Sequence, residues 1–142
     1  MRALELVLDT GPIRGIGAGE VAHWRGLPYA APPLGVRRWQ RPQPPEPWTG
    51  IRDATRFGPS CPQPRGMFKG VPKGMGLGSV PRTPRAEDCL TLNVTAPAEP
   101  DSDALPVMVF IHGGGFISGA GSDPAYDGTA LVRRGQIVYV SL

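Results

Sequence analysis

Residues 112–119 read HGGGFISG and follow directly on the apolar run LPVMVFI at 105–111. Three consecutive glycines are costly at such a place, because glycine loses more backbone freedom on folding than any other residue. What they provide is a backbone without side chains. Successive N–H groups can then converge on one point beyond the strand end. Such a pair of donors stabilises the negative oxygen that develops when a carbonyl carbon is attacked. The competing reading is a plain flexible turn between a strand and a helix. A phosphate cradle fits less well, since that class of loop requires G-x-x-x-x-G-K-[ST] and no lysine follows these glycines. GIGAGE at 15–20 carries part of a G-x-G-x-x-G pattern without the strand–helix context that gives it meaning.

Attack on a carbonyl also needs a nucleophile, a base and an acid that orients the base. The serines are Ser60, Ser79, Ser102, Ser118, Ser122 and Ser141. None has glycine two residues before and two after, as a G-x-S-x-G nucleophile elbow demands. Of the two histidines, His112 heads the glycine loop and is expected to hydrogen-bond it into shape. His23 falls at a surface or half-buried position of an N-terminal meander. Neither has a serine–acid partner. Cys61 and Cys89 are too few for a zinc site and lack C-x-x-C spacing. No Cys/His/Asp cluster has ligand spacing, so neither a metal nor an organic cofactor is expected.

The elements around the loop follow from periodicity and turn chemistry. DTGP and GAGE are turn signals. They divide the N-terminus into a small antiparallel meander within 1–30, with strands over 4–8, 12–16 and 20–25. The segment 31–86 is too rich in proline for a helix or a central strand and should wrap a larger body as extended chain. RDATRFGPSCPQ has room for a short strand and a turn. The Gly-, Pro- and Lys/Arg-rich stretch 64–85 reads as a surface loop. From Glu87 onward CLTLNVTAP alternates with period two. LPVMVFIH and QIVYVSL are continuous apolar runs of strands buried on both faces. YDGTALVRRG reads as a short helix, with Asp127 as N-cap and Gly135 as its stop. The sequence ends inside QIVYVSL, which points to the front piece of a larger α/β protein, with 87–142 holding the first strands of its central mixed sheet. A stand-alone domain of this size would leave the last strand unpaired, and exposed edges aggregate.

Composition narrows the function classes. There are 20 Gly and 18 Pro, and 15 basic residues against 12 acidic ones give a net charge of +3. The arginines are dispersed, whereas a nucleic-acid protein concentrates them in a stripe, so no nucleic-acid partner is expected. No apolar run is long enough for a membrane helix. The N-terminal MRALELVLDTG contains Glu5 and Asp9 and reads as a strand of the mature protein rather than a signal peptide, so a cytoplasmic location is expected.

Taken in order, several segments resemble the N-terminal part of the type-B carboxylesterases, the cholinesterase-like branch of the α/β-hydrolases. GPIRGIG resembles their opening strand pair. WRGLPYAAPPLGVRRWQRP is similar to their f-x-G-I-P-Y-A-x-P-P-x-G-x-x-R-f segment, and WTGIRDATRFGPSCPQ to their w-x-g-v-x-d-A-t-x-f-g-p-x-C-x-Q. AEDCLTLNVTAP carries the E-D-C-L-x-L-N-V signature, and LPVMVFIHGGGFISG resembles the oxyanion strand and loop. The last helix and strand match YDGTALVRRGQIVYVSL. The resemblance implies an α/β-hydrolase fold and a serine carboxylic-ester hydrolase acting on small-molecule esters. Gly114 and Gly115 would supply two oxyanion N–H groups, Gly113 would shape the turn, and His112 would support the loop. The third donor would follow the nucleophilic serine, which with the acid and base would lie beyond Leu142, in the remainder of the domain. Arg38 and Glu87 match a buried structural ion pair, and Cys61 and Cys89 match a disulfide, which a reducing cytoplasm would keep open. Thr95 departs from the bulky apolar or aromatic residue usual at its position, and 64–85 matches nothing specific. The resemblance also admits a non-catalytic, adhesion-type binding protein or a degenerate remnant.

Overall fold

The computed structural model describes residues 2–64, 83–102 and 104–142. Most of the stretch 64–85 therefore lies outside the described residues. The described chain forms β1 (Arg2–Leu8), β2 (Gly11–Ala18), β3 (Val21–Pro28), β4 (Arg52–Asp53), β5 (Thr91–Pro97), β6 (Val107–Phe110), the helix α1 (Thr129–Gly135) and β7 (Val138–Ser141). Two-residue turns join β1 to β2 and β2 to β3, in register Leu8↔Gly11 and Ala18↔Val21. β3 then pairs antiparallel with β5, so the N-terminal meander and the later strands are one continuous sheet. Its order is β1-β2-β3-β5-β7-β6, with β4 lying parallel against β2. β6 and β7 are parallel, and the connection between them carries the glycine loop and α1.

Between β3 and β5 the described part of the proline-rich chain carries little regular structure, namely the two-residue β4 and a short 3-10 turn at Gly35–Arg37, a proline-free piece. It is tied down at intervals. The Trp48 N–H donates to the Thr10 carbonyl at 2.8 Å, and its indole Nε1–H donates to the Pro12 carbonyl at 2.8 Å.

Alternation along β3 serves two apolar clusters. Ala22 and Trp24 pack with Ile13, Leu27 and Ala54 on one face. Val21 packs with Val132 of α1 and Tyr139 of β7 on the other. With both faces of β3 covered, His23 is only 8% exposed, so it is a core residue rather than a surface or half-buried one. Its Nδ1 hydrogen-bonds the Thr95 hydroxyl at 3.1 Å, directly across the β3–β5 ladder. Thr95 thus gives up bulk and gains a polar partner for a buried imidazole.

Burial pushes the His23 imidazole below its ordinary 6.5, Arg25 adds to this, and Asp127 opposes it. Below pH 6.5 the unfolded chain binds a proton that folded His23 does not. Stability must therefore fall as pH drops through 6.5, and this contribution levels off once folded His23 is itself protonated. Unfolding midpoints at pH 7.5 and 5.5 should differ more for the parent than for His23→Gln. Equal differences in the two proteins would show that His23 is not the group responsible.

Other sequence expectations require correction. β7 is not unpaired, because β5 and β6 flank it on either side. Only alternate residues of it, Tyr139 and Ser141, are buried. β6 lies at one edge of the sheet. Val107, Met108 and Val109 are 62%, 46% and 56% exposed rather than buried on both faces, since nothing among the described residues covers them. At the helix, Asp127 acts one residue earlier than an N-cap. Its Oδ1 accepts from the Thr129 N–H at 2.9 Å and from the Thr129 hydroxyl at 2.6 Å, while Gly128 occupies the cap position. The left-handed residue that ends the helix is Gln136, at φ 46°, and Gly135 is its last helical residue.

Candidate active site

The ladder between β6 and β7 delivers the chain to the glycine loop. The Leu142 N–H donates to the Phe110 carbonyl at 3.2 Å, and the His112 N–H donates to the Leu142 carbonyl at 3.4 Å. Beyond that point the loop folds on itself. The Gly114 carbonyl accepts from the N–H groups of Ile117 and Ser118, both at 3.2 Å. The backbone enters the left-handed half of conformational space at Gly114 (φ 133°), Gly115 (φ 62°), Phe116 (φ 62°) and Gly119 (φ 113°). Phe116 does so despite its side chain, a conformation uncommon for a bulky residue. A Cβ at Gly114 would run into the Ser118 carbonyl. One at Gly119 would meet the His112 ring and come within 2.6 Å of the Gly113 carbonyl.

Gly113 differs from these. Its φ is not positive, and a Cβ there would meet nothing within 4 Å among the described residues. The bend is made by Gly114 and Gly115, and the described structure gives Gly113 no steric need to be glycine. His112 joins the two ends of the loop. Its ring lies against Gly119, and its Nδ1–H donates to the Gly113 carbonyl at 2.7 Å. A carbonyl only accepts, so that contact places the proton on Nδ1.

Among the described residues, the N–H groups of Gly114 and Gly115 find no acceptor. Both glycines line a cleft of about 360 Å³, together with Tyr29, Ser60, Cys89 and Asn93. Two free backbone donors on adjacent residues are an arrangement that can receive an anionic oxygen.

Residues that sequence reasoning passed over hold the loop from behind. Asn93 Oδ1 accepts from the Gly26 N–H at 3.1 Å, and its Nδ2 donates to the Ser141 hydroxyl at 3.3 Å. The Ser141 hydroxyl donates to the Gly121 carbonyl at 2.9 Å. The Gln63 amide pairs with both backbone groups of Gly119. The only sequence signal for Asn93 and Gln63 is their place in the E-D-C-L-x-L-N-V and C-x-Q segments.

Two serines near the loop are engaged elsewhere, while the buried Ser122 hydroxyl has no hydrogen-bond partner among the described residues. The hydroxyls of Ser60 and Ser118 donate to the carbonyls of Pro84 and Gly114. Among the described residues no serine hydroxyl is hydrogen-bonded to a histidine. Cys61 and Cys89 form a disulfide with Cα atoms 5.2 Å apart. Arg38 and Glu87 meet at 2.8 Å, but their side chains are 53% and 42% exposed, so the pair is not buried. Solvent on both partners screens it to the roughly 0–1 kcal/mol of a surface ion pair.

Comparison with known proteins gives the family. Residues 2–142 match the carboxylesterase family. The para-nitrobenzyl esterase of Bacillus subtilis (strain 168) is 44% identical over 132 residues, which is 93% of this chain and 25% of that protein. The acetylcholinesterase of Bungarus fasciatus is 39% identical over 143 residues, 98% of this chain and 23% of that one. A solved structure of a PNB esterase superposes with a TM-score of 0.83 at 42% identity, covering 96% of this chain and 26% of its own. The chain spans about a quarter of the length of the relatives it matches. A match across almost every residue, with a mixed sheet that superposes on a solved esterase, shows that the chain belongs to the carboxylesterase family.

Proposed function

We propose that residues 112–119 supply two oxyanion donors, the N–H groups of Gly114 and Gly115, to a serine carboxylic-ester hydrolase. Its nucleophile, acid and base lie outside residues 2–142. The observation that carries this reading is the pair of unsatisfied N–H groups in a loop whose shape requires glycine at 114. A serine oxygen attacks the ester carbonyl carbon, and the carbonyl oxygen takes the negative charge as the tetrahedral intermediate forms. The two N–H groups meet that charge without having to reorganise. The intermediate then collapses to an acyl-enzyme with loss of the alcohol, and water repeats the sequence to release the acid. The substrate class is a small-molecule carboxylic ester, in keeping with the names of the relatives.

The proposal predicts that the 142-residue chain alone hydrolyses p-nitrophenyl acetate no faster than buffer. The whole enzyme that contains it should be active and should lose that activity to a serine-directed phosphonate. A phosphonate-sensitive rate in the isolated chain would place a nucleophile inside it and overturn this division of labour.

A further inference from the structure

We infer that Gln63 is a positioning residue for the oxyanion loop, an inference that rests on the function proposed above. Its Nε2–H donates to the Gly119 carbonyl at 2.9 Å, and its Oε1 accepts from the Gly119 N–H at 3.0 Å. Side-chain amide and backbone residue thus exchange two bonds, as a hydrogen-bonded pair does across two antiparallel strands. The second Nε2–H donates to the Cys61 carbonyl at 3.1 Å, so the amide is itself held from its own side.

The partner is a sensitive point of the loop. Gly119 sits at φ 113°, with the His112 ring where a Cβ would be. The adjacent Ser118 N–H is bonded to the Gly114 carbonyl. Fixing Gly119 therefore fixes the end of the turn that carries the two donors. The near end of the loop is held by the β6–β7 ladder and the far end by Gln63, 56 residues away in sequence. Cys61 is disulfide-linked to Cys89, whose carbonyl accepts from the N–H of Thr91, the first residue of β5, at 2.8 Å. The far end is thus referred to the same sheet. A glycine-rich loop held at one end only has many conformations open to it.

The test uses three proteins in the whole enzyme: the parent, Gln63→Leu and Gln63→Glu. Leucine has a similar reach and no hydrogen bonds. Its kcat should fall on the order of 10²-fold, as expected for reacting groups displaced by about 1 Å, with little change in KM. Hydrogen exchange over residues 112–121 should accelerate. Ionised glutamate accepts from the Gly119 N–H but cannot donate to its carbonyl, whereas protonated glutamic acid can do both. The kcat of Gln63→Glu relative to the parent should therefore rise as pH falls toward the ordinary glutamate range, about 4.3. A role confined to folding would not produce that rescue.

The inference is overturned if Gln63→Leu keeps the parent's kcat. It is equally overturned if the Gln63→Glu ratio is flat with pH, a readout that serves even if the leucine variant fails to fold. Failure of the underlying function is distinguishable. In that case Gly114 variants keep full activity, while exchange at Gly119 still responds to Gln63.

Discussion

Gly114→Ala in the whole enzyme lowers kcat on the order of 10²–10³-fold, the loss typical of removing one oxyanion donor. Two features of the structure produce this. The new methyl group lands on the Ser118 carbonyl, which belongs to the same turn and cannot retreat without dragging Ser118 along. The backbone at φ 133° is also one that alanine resists. The loop must therefore rearrange, and the N–H groups of Gly114 and Gly115 leave the geometry that meets the oxyanion. Phosphonylation of the active serine should slow in parallel, because it builds a similar charged oxygen. Gly50→Ala is the control. Gly50 has open space around it and no left-handed φ, so adding a methyl there should leave the rate at the parent's level. Equal rates for Gly114→Ala and the control would remove the oxyanion role from this loop.

Replacing both Cys61 and Cys89 with serine costs about 3–4 kcal/mol of stability. The reason lies largely in the unfolded chain, where a cross-link across 28 residues forbids many conformations. The measurement is the guanidinium unfolding midpoint of the oxidised parent against the double variant. A large downward shift is expected. A midpoint that does not move would mean that the closed loop restricts the unfolded chain far less than its length implies. Because Cys61 is also the neighbour that steadies the Gln63 amide, exchange over residues 112–121 should rise in the double variant.

How much of this was legible in the sequence depended on whether the signal was local. HGGGF could be read because consecutive glycines after an apolar strand have few uses, and E-D-C-L-x-L-N-V placed it in a family. β1, β2, β3 and β5 could be read because turn signals and period-two alternation are written in neighbouring residues. The exposure of β6 could not. VMVF encodes a strand meant for cover on both faces, and the described residues supply it on neither Val107 nor Val109. His23 looked like a surface or half-buried meander residue, because the Thr95 hydroxyl that meets its buried ring comes from β5, 72 positions later. The exposure of Arg38–Glu87 and the Gln63–Gly119 pairing are tertiary facts of the same kind. The resemblance implied that Gly113 would shape the turn, whereas the left-handed backbone falls at Gly114 and Gly115.

A crystal structure of the whole enzyme with a phosphonate bound to its nucleophilic serine would decide the matter. The phosphonyl oxygen stands where the carbonyl oxygen of the tetrahedral intermediate would be. If the loop does what is proposed, that oxygen lies about 2.7–3.1 Å from the backbone nitrogens of both Gly114 and Gly115. An oxygen turned away from them, or met instead by side chains, would contradict the proposal and reduce the glycines to a turn.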